Sequence, residues 1–290
     1  MPLLVFATNE LGQTCSLLNS PHSIFANSTF VAAHPNGHLA VSDADTKKVW
    51  IVSTDYENAY SLDSGFCRPH GVAFDGEGNL LVADRNLNKI RVFANDGKFI
   101  RDFGQEGSAL GSMHGPLGIA VAPDGTIFVT EAEGGRVQAF DPDGTARWIY
   151  PHFECPTAIA FNATQNTLWV ADWTKNTVTG FELDATEHLL PRHTLEGFTN
   201  PHGLAVDTRG LLHVTDANGY YVYERVADAD TSVLYLRILE NAQLAGPPNP
   251  SGIAEAKDGN IIVCHGPSVL TLPPIQFAER EDADFKTPPI

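Results

Sequence analysis

Basic residues are scarce in this 290-residue chain: eighteen Lys and Arg stand against thirty-five Asp and Glu, a formal net charge of −17. Nucleic acid is bound largely by Lys and Arg that neutralise phosphates. The field of so acidic a chain repels a polyanion, so neither duplex nor single-stranded nucleic acid is an expected partner. Cysteine is also rare. Cys15, Cys67, Cys155 and Cys264 lie far apart with no C-x-x-C pair, which argues against a thiolate zinc site and reads as reduced thiols in a cytoplasmic protein. No apolar run approaches the roughly 18 residues that a membrane helix needs. Residues 1–8 carry a short apolar run without a basic flank or a small-residue cleavage site, so no signal peptide is expected. The Gly-x-Ser-x-Gly, phosphate-cradling Gly-rich and His-Glu-x-x-His patterns are missing too, and with them any marked nucleophile, nucleotide loop or metalloprotease helix.

What is present is repetition. One phrase recurs: Pro-x-Gly, an apolar strand, a Gly-containing turn, a second apolar strand and an acidic residue. Its clearest copies are Arg-Pro-His-Gly-Val-Ala-Phe-Asp-Gly-Glu-Gly-Asn-Leu-Leu-Val-Ala-Asp at 68–84, Gly-Pro-Leu-Gly-Ile-Ala-Val-Ala-Pro-Asp-Gly-Thr-Ile-Phe-Val-Thr-Glu at 115–131, and Asn-Pro-His-Gly-Leu-Ala-Val-Asp-Thr-Arg-Gly-Leu-Leu-His-Val-Thr-Asp at 200–216. Three looser copies end at Asp43, Asp172 and His265. The closing positions 43, 84, 131, 172, 216 and 265 step by 41, 47, 41, 44 and 49 residues, the length of a four-stranded propeller blade.

Each repeat reads as four strands. In the second copy they are 72–75, 80–83, 90–93 and 99–103, joined by Asp75-Gly76, residues 85–88 and Asn95-Asp96-Gly97, turn formers that admit positive φ. The first two strands are apolar at nearly every position, as when neighbouring blades cover both faces. The third alternates, Ile90 and Val92 against Arg91. The expected fold is therefore an all-β, six-bladed β-propeller of four-stranded antiparallel blades, a single domain over residues 1–277. The last repeat runs short after His265, and residues 5–17 resemble the outer half of a blade. The N-terminal segment is thus expected to close the ring and protect its edges, and the acidic residues 278–290 to form a loose tail.

These motifs resemble the NHL repeat, six times over nearly the whole chain. Propellers of that kind include protein-binding, RNA-binding and enzymatic members. Locally the chain is also similar to peptidyl-hydroxyglycine lyases, in which Pro-His motifs hold zinc and an Arg in a Val-Ala-Asp-Arg segment contacts substrate. That resemblance implies such roles for His70, in Pro69-His70-Gly71, for Arg85, in Val82-Ala83-Asp84-Arg85, and for His202. The lyases draw their ligands from alternate blades, where this chain has Thr157 and Ser251, leaving His22 as a third candidate. The Pro-His-Gly motifs are similar to streptogramin lyases as well.

Strand order places the Pro-x-Gly motifs and the ends of the second strands at one face, around the channel mouth. There His70, Arg85, Trp173, His202, Tyr220 and His265 are the candidate ligand-binding side chains, beside a ring of carboxylates. The closing Asp and Glu residues are expected to bond nearby backbone N–H groups. His70 and His202 read either as turn residues at a wet rim or as ligand contacts, and Arg85 either as the partner of a neighbouring acid or as an anion clamp. Trp50, Trp148 and Trp169 lie within strands and are expected to pack. The first functional expectation is a non-enzymatic, cofactor-free recognition scaffold for a peptide, a protein or a small polar ligand. The second is a lyase or hydrolase using zinc held by His70 and His202.

Overall fold

The computed structural model describes residues 24–62, 65–183, 189–225, 232–240, 250–272 and 274. These form five four-stranded antiparallel sheets and a sixth of three strands. Each blade is one repeat, and the blades span residues 28–62, 69–103, 116–150, 156–195, 203–240 and 253–272. Among the described residues, a single 3-10 turn, Arg85–Leu87, is the only helical element, and no helix is long and apolar enough to cross a membrane. The N-terminal segment expected to complete the sixth blade, and the acidic tail, lie outside the described residues.

The second repeat shows how local sequence sets the blade. Its strands are Pro69–Phe74, Leu80–Asp84, Lys89–Phe93 and Phe99–Phe103. Every residue of Leu80–Asp84 is buried, because neighbouring blades cover both faces. In Lys89–Phe93 burial alternates at first, with Ile90 and Val92 inward and Arg91 outward. The last strand lies at the rim and is mostly exposed. The period-2 geometry of a strand converts this radial gradient into a sequence pattern.

The ring closes through its innermost strands, the first of each blade. Each contacts its counterpart in the next blade, and the sixth, Ile253–Glu255, returns to the first, Ser28–Ala33. That last junction is hydrogen-bonded: Ser28 N donates to Gly266 O at 2.6 Å, and Gly252 N to Thr29 O at 2.7 Å. Separate apolar clusters fill the inter-blade spaces. Val31 and Val41 pack with Ala254 and Ile262 between the sixth and first blades, and Ile90 and Val92 with Ile119 and Phe140 between the second and third. A further cluster runs through the centre and joins Phe30, Val72, Leu117, Ala158 and Leu204 from five innermost strands.

Polar latches link adjacent blades. Asn88, in the left-handed region at φ 54°, accepts the Gly115 N–H at 2.9 Å, and Asn176, at φ 58°, accepts that of Asn200 at 2.7 Å. Asn tolerates this backbone better than other non-glycine residues. Asn88→Ala should therefore cost about 1–2 kcal/mol, through both the lost bond and the strained turn. Thermal unfolding checks this, and Asn88→Gly, which relieves only the strain, should recover part of the loss.

Candidate functional site

The acids that close each repeat build the mouth of the channel. Asp84 accepts backbone N–H groups from Cys67 and Arg68 at 2.8 and 2.9 Å, and Asp172 accepts those of Glu154 and Cys155 at 2.8 and 3.1 Å. Asp43 does the same for Ala26 and Asn27, Glu131 for His114 and Asp216 for Thr199. Several also cap the turn that follows: Asp216 holds the N–H groups of Asn218 and Gly219. These carboxylates are buried, and the aspartates are taken up chiefly by backbone N–H groups, as expected of turn caps, while Glu131 also bonds the Arg136 and Gln138 side chains. The sixth blade has His265 at this position, buried, with Nε2 lacking a hydrogen-bond partner.

The Gly of Pro-x-Gly lets the innermost strands meet. A Cβ on Gly71 would lie 2.2 Å from Leu117 O, and one on Gly203 1.9 Å from Ser251 O. In the first blade the register equates Ser28 with Pro69, since these residues pair with Asp43 and Asp84, and both strands bulge just afterwards. Phe30 therefore stands where Gly71 stands, and its side chain turns into the channel. Its ring lies 6.3 Å from that of His70 and 5.6 Å from that of His202.

Phe30 thus brings together two imidazoles that belong to blades three apart. His70 is only 5 % exposed, and neither of its ring nitrogens has a hydrogen-bond partner. His202 keeps a partial opening to solvent, and its Nδ1 is likewise unpartnered. Burial, reinforced by the positive charges of His202, Arg85 and Arg68, pushes His70 down to about 3. Burial and then Arg85 push His202 down to about 4. Both rings are therefore neutral at pH 7, each with one donor and one acceptor nitrogen.

Above them, Arg85 Nε and Nη2 donate to Glu133 Oε1 at 3.2 and 2.9 Å. This pair lies close enough to Cys155 to act on its thiol, which burial and then Asp172 push up while Arg85 opposes. Cys155 O accepts the Trp173 N–H at 2.9 Å, and the Trp173 side chain is 42 % exposed. Arg85, Glu133 and Trp173 thus form an arc across the loops of the second, third and fourth blades, with His70 and His202 beneath Arg85.

The wet-rim reading of His70 is corrected, since its ring is buried in the channel. Tyr220 does not join the arc. It is 1 % exposed, bonds His213 Nδ1 and packs with Val222, Ile253 and Val263 between the fifth and sixth blades. Its strand position, directly after the Asn218-Gly219 turn, points it inward. His265 is buried as well. Of the other tryptophans, Trp169 packs in the central cluster, while Trp50 and Trp148 are partly buried against other clusters. Phe30 is the site residue that the sequence reading missed. Its signal is the one Pro-x-Gly position where a large aromatic replaces Gly.

A zinc site of the lyase type requires a third protein ligand. Thr157 Oγ1 instead donates to Pro201 O at 2.8 Å and Ser251 Oγ to Ser28 O at 3.3 Å. Among the described residues no three His, Cys, Asp or Glu side chains gather to hold a metal. The described residues thus offer two imidazoles without a third ligand, and His22, the third candidate, lies outside the described residues.

Comparison with known proteins agrees with this architecture. The model of the NHL repeat matches residues 66–93 and 113–140. The peptidyl-glycine alpha-amidating monooxygenase A of Xenopus laevis is 28% identical over 180 residues, 55% of this chain and 19% of that protein. The chain thus spans about a fifth of the length of this relative. A gluconolactonase of Xanthomonas campestris superposes with a TM-score of 0.69 at 18% identity, covering 87% of each chain. A streptogramin B lyase superposes with a TM-score of 0.60 at 16% identity, covering 86% of this chain and 95% of the other. At these identities the structural likeness shows the fold. The chain carries NHL repeats and folds as a six-bladed β-propeller.

Proposed function

We propose that the protein is a recognition scaffold whose Pro-x-Gly face binds a carboxylate-bearing peptide or small ligand over the channel. The observation that carries this reading is a positive field at one point of a chain with net charge −17. Arg85 and Arg68 both act on His70, whose two ring nitrogens are buried without partners, and the neutral His202 ring lies on the other side of Phe30. An unpaired buried polar group costs about 1–3 kcal/mol, and a carboxylate accepting from the imidazole N–H groups removes that cost for the donor nitrogens. Arg85 supplies the charge-assisted bond at the mouth, in exchange for Glu133. Trp173, on the loop of the fourth blade, offers an exposed aromatic side chain of the kind that anchors partners.

A labelled pool of short peptides with free C-terminal carboxylates, compared with the same pool amidated, tests this. The free acids should bind, the amides at least about tenfold more weakly, and Arg85→Ala should lower affinity by about tenfold or more. Equal binding of both pools, or indifference to Arg85→Ala, would sink the reading.

The similarity to the amidating monooxygenase favours a second reading, a metal-dependent lyase. Zinc analysis of untagged protein separates the two. Stoichiometric zinc lost on changing His70 and His202 to Ala supports the lyase and displaces the scaffold.

A further inference from the structure

A cavity of about 380 Å³ opens on the opposite rim. There the turn at 122–126 of the third blade faces the turn at 163–166 of the fourth. Its floor is Phe128, buried, whose ring stacks on Phe161 with centroids 5.9 Å apart and planes 18° from parallel. Trp148 tilts against Phe128 at 5.9 Å and forms the other wall. Trp148 and Phe161 both remain partly exposed.

The mouth carries one charge of each sign, tied to a single residue. Arg147 Nη1 donates to Thr126 Oγ1 at 2.9 Å, and Asp124 Oδ1 accepts the Thr126 N–H at 2.9 Å. Arg147 also lies 3.7 Å from Asp141, a contact open to solvent on both sides. The volume stands near the lower end of the range for small-molecule sites, about 300–1,000 Å³. It suits one ring with a short polar head.

We propose that this cavity is a second ligand site, independent of the channel mouth, that binds a free aromatic α-amino acid. The ring lies between Trp148 and Phe161 over Phe128, the carboxylate meets Arg147, and the ammonium meets Asp124. Arg pairs with carboxylates in a two-pronged geometry, and aromatic faces favour offset or edge contacts with a ligand ring. The two charges select against simpler ligands. An aromatic acid without an amine meets Asp124, and an aromatic amine without a carboxylate meets Arg147.

Titration calorimetry of the full chain with L-phenylalanine tests the proposal. Saturable binding is expected, with a Kd below about 1 mM. Phenylpropanoate and phenethylamine should each bind at least tenfold more weakly, and glycine should not bind. Arg147→Gln and Asp124→Asn, both at the surface, should each weaken L-phenylalanine at least tenfold with unchanged far-UV circular dichroism. His70→Phe should leave its binding unchanged. Trp148 emission should respond to the ligand, and Trp148→Phe should remove that response while binding persists. Three results would overturn the proposal: no saturation, equal binding of N-acetyl-phenylalaninamide, or full affinity in both charge variants.

Discussion

Glu131→Ala should destabilise the protein by about 3–5 kcal/mol, the usual cost of removing one partner of a buried ion pair. Glu131 is 0 % and Arg136 7 % exposed, and Arg136 Nε donates to Glu131 Oε1 at 2.9 Å. Arg136 also donates to Ser112 O at 2.8 Å and Gly107 O at 3.2 Å, and Gln138 Nε2 reaches the same Ser112 carbonyl. The pair therefore does more than neutralise itself, because it ties the loop at 104–115 to the third blade. Without Glu131 the guanidinium stays buried with no counter-charge, and the His114 N–H loses its acceptor. At about 2–4 °C per kcal/mol for a chain of somewhat smaller size, the midpoint of thermal unfolding should fall by about 10 °C. Adding Arg136→Met removes the stranded charge and should recover part of this loss, though not the loop contacts. A Glu131→Ala midpoint within a degree or two of the parent would show that the pair contributes little.

Acid should destabilise the protein through the channel histidines. An unfolded histidine protonates near 6.5, whereas in the folded chain His70 stays neutral down to about 3 and His202 to about 4. Between pH 6.5 and about 4 the unfolded state thus binds more protons than the folded one, and stability falls as pH falls. At about 1.4 kcal/mol per unit, the two rings together set a loss on the order of several kcal/mol by pH 4. Urea midpoints at pH 7, 5.5 and 4.5 should show a shallower acid slope for His70→Phe than for the parent, with other acid-sensitive groups common to both. Superimposable slopes would mean that His70 takes up its proton in the folded state. The same linkage predicts that an anion bound over the rings raises their pKa values, so binding should tighten as pH falls toward 5.

Much of the fold was legible because its determinants are local. In the second repeat the expected strands 80–83, 90–93 and 99–103 agree with the observed ones to within a residue at either end. The first strand starts three residues earlier than expected, at Pro69, where a bulge carries the Pro-x-Gly motif into the ladder. The closing acids were legible as turn caps for the same reason, since a carboxylate after a strand finds backbone donors nearby. What lay beyond reach was the sense of the side chains at the mouth. Tyr220 sits directly after an Asn-Gly turn on the same face as the candidate site residues, yet its ring faces the next blade. His70 occupies a rim motif, yet the bulge sinks it into the channel.

The sequence by itself determined the repeat, hence the blade count, the strand order and the rim on which the Pro-x-Gly motifs gather. Each follows from period-2 burial and turn chemistry acting over a few residues. Tertiary structure alone decided that Phe30 should meet His70 and His202, and that Arg85 should pair with Glu133 across a blade boundary. It also decided that Asp124 and Arg147 should flank one aromatic cleft. Those contacts depend on how far each blade rotates and packs against the next. That rotation is set by the summed volume of the clusters between blades, which no single repeat encodes.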